Sequence, residues 1–109
     1  MKIAFPCKVD CPTSPIEDWF GQSRHFAIYD MDNDRLGFRT IDEFVDGGSE
    51  GLFAAKQLME SGVDVVIAGR IAPNLVQVLE SAHIKIIQNQ YGSVRDILLD
   101  IRKNGMPLT

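Results

Sequence analysis

The sequence is poor in several features that mark particular protein classes. It has two cysteines among 109 residues, Cys7 and Cys11, too few for a secreted disulfide framework. Acidic residues outnumber basic ones by 15 to 11, which argues against a dedicated nucleic-acid binder. No segment approaches the roughly 20 apolar residues of a membrane span, and the apolar start is too short for a signal peptide. We therefore expect a cytoplasmic protein with neither a nucleic acid nor a membrane as partner.

Common catalytic and phosphate-binding motifs are also missing. The glycine-rich residues 47–51 lack the G-x-G-x-x-G spacing of a dinucleotide site. There is no G-x-x-x-x-G-K-[ST] phosphate loop and no G-x-S-x-G nucleophile elbow. Because no convincing pair of nucleophile and base is present either, the sequence predicts a protein that is not an enzyme.

The composition that remains is that of an ordinary globular domain. The chain is 45% hydrophobic and 24% charged, and its length suits one domain over residues 1–109. A domain of this size buries roughly two-thirds of its unfolded surface and needs no disulfide to fold.

Apolar runs and turn residues alternate in an order that predicts an α/β fold. Pro6 is expected to stop the first strand, Pro73 to begin the second helix, and Ser93 to cap the last one. The core-facing residues should be Leu52, Ala55 and Met59 on the first helix, and Leu75, Val76, Leu79 and Ala82 on the second. The pattern predicts five strands, at residues 2–5, 25–29, 36–41, 63–68 and 84–87. Helices should follow the third, fourth and fifth strands. We predict a five-stranded mixed sheet with helices on both faces. Ile28 should lie on an antiparallel strand, and Val66 should be fully buried on a parallel one.

Four loops should meet at the carboxyl edge of the parallel strands, where α/β sheets bind ligands. They comprise residues 6–11, 47–51, 69–71 and 89–92. Helix N-termini at this edge favour an anion, and Arg70 would add positive charge. The candidate cofactor-binding residues here are Gly48, Gly51, Gly69 and Arg70. The alternative is that these glycines only satisfy tight turns.

The two cysteines are candidate metal ligands. Cys7 and Cys11 lie between Pro6 and Pro12, which favours a loop over a helix, and Lys8 would favour a thiolate. Two thiolates form half of a zinc or cluster site, so a second subunit, His25 or a cluster's own ligands would have to supply the rest. The alternative is that they are two loop cysteines without a role.

Two segments resemble the dinitrogenase iron–molybdenum cofactor biosynthesis family, and the likeness runs from Lys2 to about Ile101. The first, residues 14–21 followed by Phe26, matches a family pattern Ser…His-Phe-Gly-Arg…Phe. The second, residues 62–74, matches a Gly-Val-Asp-Val-Val-Ile strand followed by Gly-x-Ile-Gly-x-Asn. The sequence departs from the family at Trp19, Gln22 and Ala72, which replace His, Arg and Gly, and residues 47–51 hold no histidine.

The resemblance implies a ribonuclease-H-like fold and a role in carrying an iron–sulfur cluster or an iron–molybdenum-type cofactor. Metallocluster assembly proteins are the partners that it implies. Since the family's histidines are missing, Cys7 and Cys11 are the available substitutes as ligands.

Two other functions stay open. The first is a metal-free interaction module that docks a partner through the loop around Trp19, although Trp19 and Phe20 also suit a hydrophobic plug over the sheet end. The second, weaker hypothesis is a hydrolase, suggested by fold analogy alone, with Asp30 and Asp64 as the strand carboxylates. Neither the metal nor the oligomeric state follows from the sequence.

Overall fold

Five strands form one mixed sheet in the order β3-β2-β1-β4-β5. The computed structural model describes residues 1–41 and 51–106. β1 pairs antiparallel with β2 and parallel with β4, and β4 pairs parallel with β5. The predicted mixed sheet is confirmed, including the antiparallel strand that carries Ile28. The strands are β1 Lys2–Cys7, β2 His25–Asp30, β3 Arg35–Thr40, β4 Val65–Ile67 and β5 Lys85–Ile87.

Three helices follow the third, fourth and fifth strands, as the sequence predicts. They are α1 Leu52–Glu60, α2 Pro73–Ser81 and α3 Val94–Asn104. Pro73 occupies the first turn of α2, where a missing N–H costs nothing. Ser93 caps α3, because its side chain accepts a 3.0 Å hydrogen bond from the Asp96 backbone N–H. In the described part of the chain no helix is both long and apolar enough to cross a membrane.

The sheet buries a separate apolar cluster on each face. On one face α1 and α2 pack over Ala4, Phe26 and Val66. On the other face α3 packs over the side chains that alternate with these, including Ile3 and Phe5. Val66 has no exposed surface, as predicted. The two clusters show why β1 and β4 are almost continuously apolar: both of their faces are covered.

β1 does not stop at Pro6, so the prediction that this proline ends the strand is wrong. The strand continues to Cys7, which pairs with His25 of β2. A proline is tolerated because β1 pairs with β4 only at Ile3 and Ala4. Beyond Ala4 the β4 side of β1 needs no ladder N–H.

The core face of α1 also differs from its predicted position. Leu52, Ala55 and Met59 were expected to share it, but Met59 is exposed and Leu58 is buried instead. In α2 the predicted stripe is confirmed, with Leu75 and Leu79 fully buried. Each helix therefore contributes a stripe about one-third of its circumference wide, as an amphipathic surface helix does.

Candidate functional site

The carboxyl edge of the parallel strands is crossed by residues 14–20, which we call the covering segment. Backbone hydrogen bonds hold it on three strand ends. The Glu17 N–H donates to Pro6 O at 2.8 Å, and the Arg70 N–H donates to Asp18 O at 2.7 Å. The Ile16 N–H donates to Gly92 O at 2.9 Å. The carboxyl edge of the parallel strands, which was predicted to bind a ligand, is therefore covered by the chain's own backbone.

Gly69 allows the covering segment to pack closely against the loop after β4. A Cβ at Gly69 would lie 2.7 Å from the carbonyl oxygen of Asp18, closer than real Cβ contacts allow. The absence of a side chain therefore lets the covering segment reach the loop after β4. The close contact with Asp18 thus gives Gly69 a packing role that does not depend on a cofactor.

Gly51 has a comparable role before α1. Its φ of +86° suits glycine, and a Cβ there would lie 2.8 Å from the Cα of Gly21 and 2.7 Å from Leu75 Cδ1. Gly51 thus joins the end of the covering segment to α1 and α2. Gly48, the remaining glycine candidate, lies outside the described residues.

The loops after β4 and β5 do converge, as predicted. The Asn89 N–H donates to Gly69 O at 2.8 Å, and the side-chain oxygen of Gln88 accepts from the Ile71 N–H at 2.9 Å. The backbone N–H groups of Arg70 and Ile71 both donate to protein oxygens. An anion at this edge would meet the Arg70 side chain instead of a row of free N–H groups.

Arg70, Trp19 and Asp18 form an exposed cluster on the outer side of the covering segment. The Arg70 guanidinium lies 5.4 Å from the centre of the Trp19 ring. Arg70 Nε lies 4.0 Å from an Asp18 carboxylate oxygen. Trp19 is 40% exposed, whereas the adjacent Phe20 is fully buried. Phe20 is thus the hydrophobic plug, and Trp19 presents its ring to solvent.

The two candidate thiols occupy opposite environments. Cys7 was expected in an exposed loop beside Lys8, but its side chain is in the core under α3. Burial, with the Asp10 charge second, raises the pKa of the Cys7 thiol to about 11. Cys11 is exposed, and the hydroxyl of Thr13, 3.2 Å away, lowers the pKa of its thiol. Only Cys11 is ready to act as a thiolate.

The loop between the cysteines is organised by residues that the sequence analysis missed. Ser14 is buried, and its hydroxyl accepts 3.0 Å hydrogen bonds from the Lys8 and Val9 N–H groups. Asp10 lies 2.9 Å from His25 Nδ1 and accepts a hydrogen bond from Thr40. Two signals pointed to Ser14: a serine a few residues after a strand end is a common turn former, and Ser14 begins the first segment that resembles the family.

The donor set gives a partial fit to a metal or cluster. Among residues 1–41 and 51–106, no group of three His, Cys, Asp or Glu side chains is arranged to hold a metal ion. The described residues offer one accessible thiol, one buried thiol and one exposed guanidinium at the covered edge. They fit a cargo that brings most of its own ligands better than a closed metal site.

Comparisons with known proteins give a family and a fold. The family model described as "Dinitrogenase iron-molybdenum cofactor" matches residues 1–104. No curated protein matches the sequence.

Solved structures share the architecture at low sequence identity. The orange protein of Desulfovibrio gigas, in its apo form, is 21% identical with a TM-score of 0.84, covering 99% of this chain and 92% of its own. The NifB-like Thermotoga protein TM1290, of the DUF35 family, is 21% identical with a TM-score of 0.80, covering 95% and 89%. The protein PH0822 is 18% identical with a TM-score of 0.84, covering 99% and 94%. At these identities the likeness shows the fold alone.

Proposed function

Because this chain belongs to the dinitrogenase iron–molybdenum cofactor family, we propose that it is a small carrier of a metallocluster and has no catalytic activity. The cargo is an iron–sulfur cluster or an iron–molybdenum-type cofactor. The observation that carries this proposal is the family match over residues 1–104, nearly the whole chain.

We propose the covered strand edge as the place where the cargo rests. Cys11 supplies the accessible thiolate, and Arg70 faces the negative charge that sulfide-rich clusters carry. Cys7 is the second ligand in this proposal, and its burial in the core under α3 means that the packing around it must open before it can bind. Gly51 and Gly69 shape the backbone at this edge, and Gly48 stays a predicted cofactor-binding residue outside the described part of the chain.

The proposal also covers domain organisation, location and partners. We infer that residues 1–109 form one domain of ribonuclease-H-like type, and the strand order β3-β2-β1-β4-β5 supports this inference. We infer a cytoplasmic location, where the two free thiols stay reduced. Metallocluster assembly proteins are the proposed partners, since a carrier must receive its cargo and pass it on.

Anaerobic reconstitution with iron and sulfide tests the carrier. The parent should bind iron and sulfide, while Cys7→Ser and Cys11→Ser should each lose most of the binding and the double variant should be little worse. Ser81→Ala, on the exposed surface of α2, is the matched control. Thermal unfolding of each apo variant separates a lost ligand from a lost fold. Full iron uptake by the double variant would show that the cysteines are not the ligands.

Trp19 gives a second measurement, because it is the chain's only tryptophan. A coloured cluster resting near Arg70 should quench its fluorescence, since the Arg70 guanidinium lies against the Trp19 ring. Arg70→Gln should weaken iron uptake and the quenching together. Iron uptake without quenching would place the cargo away from this edge.

The exposure of Trp19 favours one alternative, a metal-free interaction module. Its ring is held in place by Arg70 yet stays 40% exposed, which suits docking to a protein. If this alternative holds, the parent takes up no iron, and Trp19→Ala weakens binding to the partner without changing stability.

A further inference from the structure

A groove lies between α3 and the β2–β3 hairpin, on the face away from α1 and α2. It encloses about 450 Å³, within the range of small-molecule sites in proteins. Tyr29 and Leu36 contribute from the hairpin, and α3 contributes Leu98 and Leu99. The remaining lining residues are charged or flank the groove: Pro12, Asp34, Arg95 and Arg102.

The floor of the groove is apolar. Tyr29 and Leu98 are almost completely buried, at 7% and 8% exposure, so they form its base. Leu99 is 50% exposed and forms part of the rim. An apolar body entering the groove would cover the exposed part of Leu99 and displace water from the base.

A cation stands near each end of the groove along α3. Arg95 and Arg102 are seven positions apart, so they lie on the same side of the helix with Leu98 and Leu99 between them. Arg102 is paired with Asp34, donates a 3.0 Å hydrogen bond to the Tyr29 hydroxyl and lies over the Tyr29 ring. Within the described part of the chain, the Arg95 side chain has no hydrogen-bond or ion-pair partner.

The charge of the groove is opposite to that of the whole chain. Its lining has two arginines and one carboxylate, Asp34, on a protein whose net charge is -4. One arginine is neutralised by Asp34, and among residues 1–41 and 51–106 no side chain pairs with Arg95, so its charge is available to a ligand there. An apolar floor with one available cation at its end fits an amphipathic anion.

We propose that this groove binds a small amphipathic anion, with an aromatic or aliphatic body on Leu98 and Leu99 and a carboxylate or sulfonate on Arg95. The site is separate from the covered strand edge and does not depend on the proposed cargo. Tyr29, at the base, and Arg102, at one end, are both held in place by Asp34.

Anilinonaphthalene sulfonate is the probe for this site, because it joins an aromatic body to one sulfonate and fluoresces when it leaves water. The parent should bind it saturably, at one molecule per chain. Neutral phenylnaphthylamine, which lacks the sulfonate, should bind about fivefold more weakly, the effect of one solvent-exposed ion pair. Arg95→Gln should cause the same loss for the sulfonate and none for the neutral probe.

Two variants locate the bound probe. Leu99→Glu should weaken sulfonate binding about tenfold, since it removes apolar contact and adds a like charge. Lys103→Gln, a matched charge removal on α3 outside the groove lining, should leave binding unchanged. Circular dichroism of each variant confirms folding, because a partly unfolded chain also binds this dye.

Three results would overturn the proposal. One is the absence of saturable binding by the folded parent, and another is binding that Arg95→Gln and Leu99→Glu leave unchanged. The third is loss of binding in Arg70→Gln, which would place the dye at the covered strand edge.

Discussion

The two faces of the sheet carry different numbers of helices over the same five strands. Within residues 1–41 and 51–106, α1 and α2 cover one face, and α3 is the one helix on the other. Strands about 4.8 Å apart make five strands roughly 20 Å wide, whereas one helix is about 10–12 Å across. Two helices therefore suffice for one face, and a single helix leaves the hairpin side of the other open. The groove beside α3 is a direct result of this difference.

The largest effect is expected for a charge placed under the two-helix face. Val66 has no exposed surface, so Val66→Asp would bury a carboxylate without a partner. We expect a loss of several kcal/mol, enough to unfold a domain of ordinary stability. Circular dichroism and thermal unfolding measure it. A cooperatively folded Val66→Asp variant would show that this face is not sealed.

Truncating one leucine on each face compares the faces directly. Leu79, on the inner side of α2, is fully buried, whereas Leu98 of α3 forms part of the floor of the groove. Leu79→Ala should cost about 2–5 kcal/mol, because it leaves a cavity inside a sealed layer. Leu98→Ala should cost less, since the open groove admits water or relaxes. Urea denaturation measures the free energy of unfolding of both variants. Equal losses in the two would contradict the difference between a sealed and an open face.

High pH should act on the one-helix face through Cys7. Its thiol has a pKa raised from 9.0 to about 11 by burial. The unfolded chain therefore loses this proton first, and the stabilising contribution is complete below pH 9 and lost as the pH rises through about 11. Cys7→Ala should flatten the fall in unfolding free energy over this window. A parent and variant with parallel pH profiles would exclude this linkage.

The smallest effect is expected at the start of α3. Ser93 is the only residue whose side chain caps one of the three described helices. Ser93→Ala should lower stability by about 1 kcal/mol, and Ser93→Asp should restore most of it. Hydrogen exchange should then show the first turn of α3 opening, while α1 and α2 keep their protection. Uniform loss of protection on both faces would mean that the faces do not open separately.

Local patterns in the sequence predicted the order of the elements and the mixed sheet. The apolar run around Val66, the proline that begins α2 and the serine that caps α3 each act within a few residues. Such signals are readable without knowing the neighbours in space. The core face of α1 was missed because Leu58 and Met59 are adjacent and both apolar, so periodicity alone did not decide between them.

The candidate site was predicted less well because its contacts are distant in sequence. Pro6 is acceptable in β1 only because β4 pairs no further than Ala4. Because β1 continues past Pro6 along β2, Cys7 belongs to the strand and its side chain enters the core. Gly69 needs its missing side chain because of Asp18, about fifty residues earlier. The convergence of the loops after β4 and β5 was predicted, since it follows from parallel strands alone.

The covering segment is attached through its main chain, and this has a consequence for redesign. Ile16 and Phe20 anchor it in the core, while the carbonyl and N–H groups between them hold the strand ends. The side chains of Asp18 and Trp19 are exposed and contact the exposed side chain of Arg70, whereas main-chain hydrogen bonds hold the segment on the strand ends. These two positions form a permissive display site, where a library of side chains can alter what the protein recognises without altering how it folds.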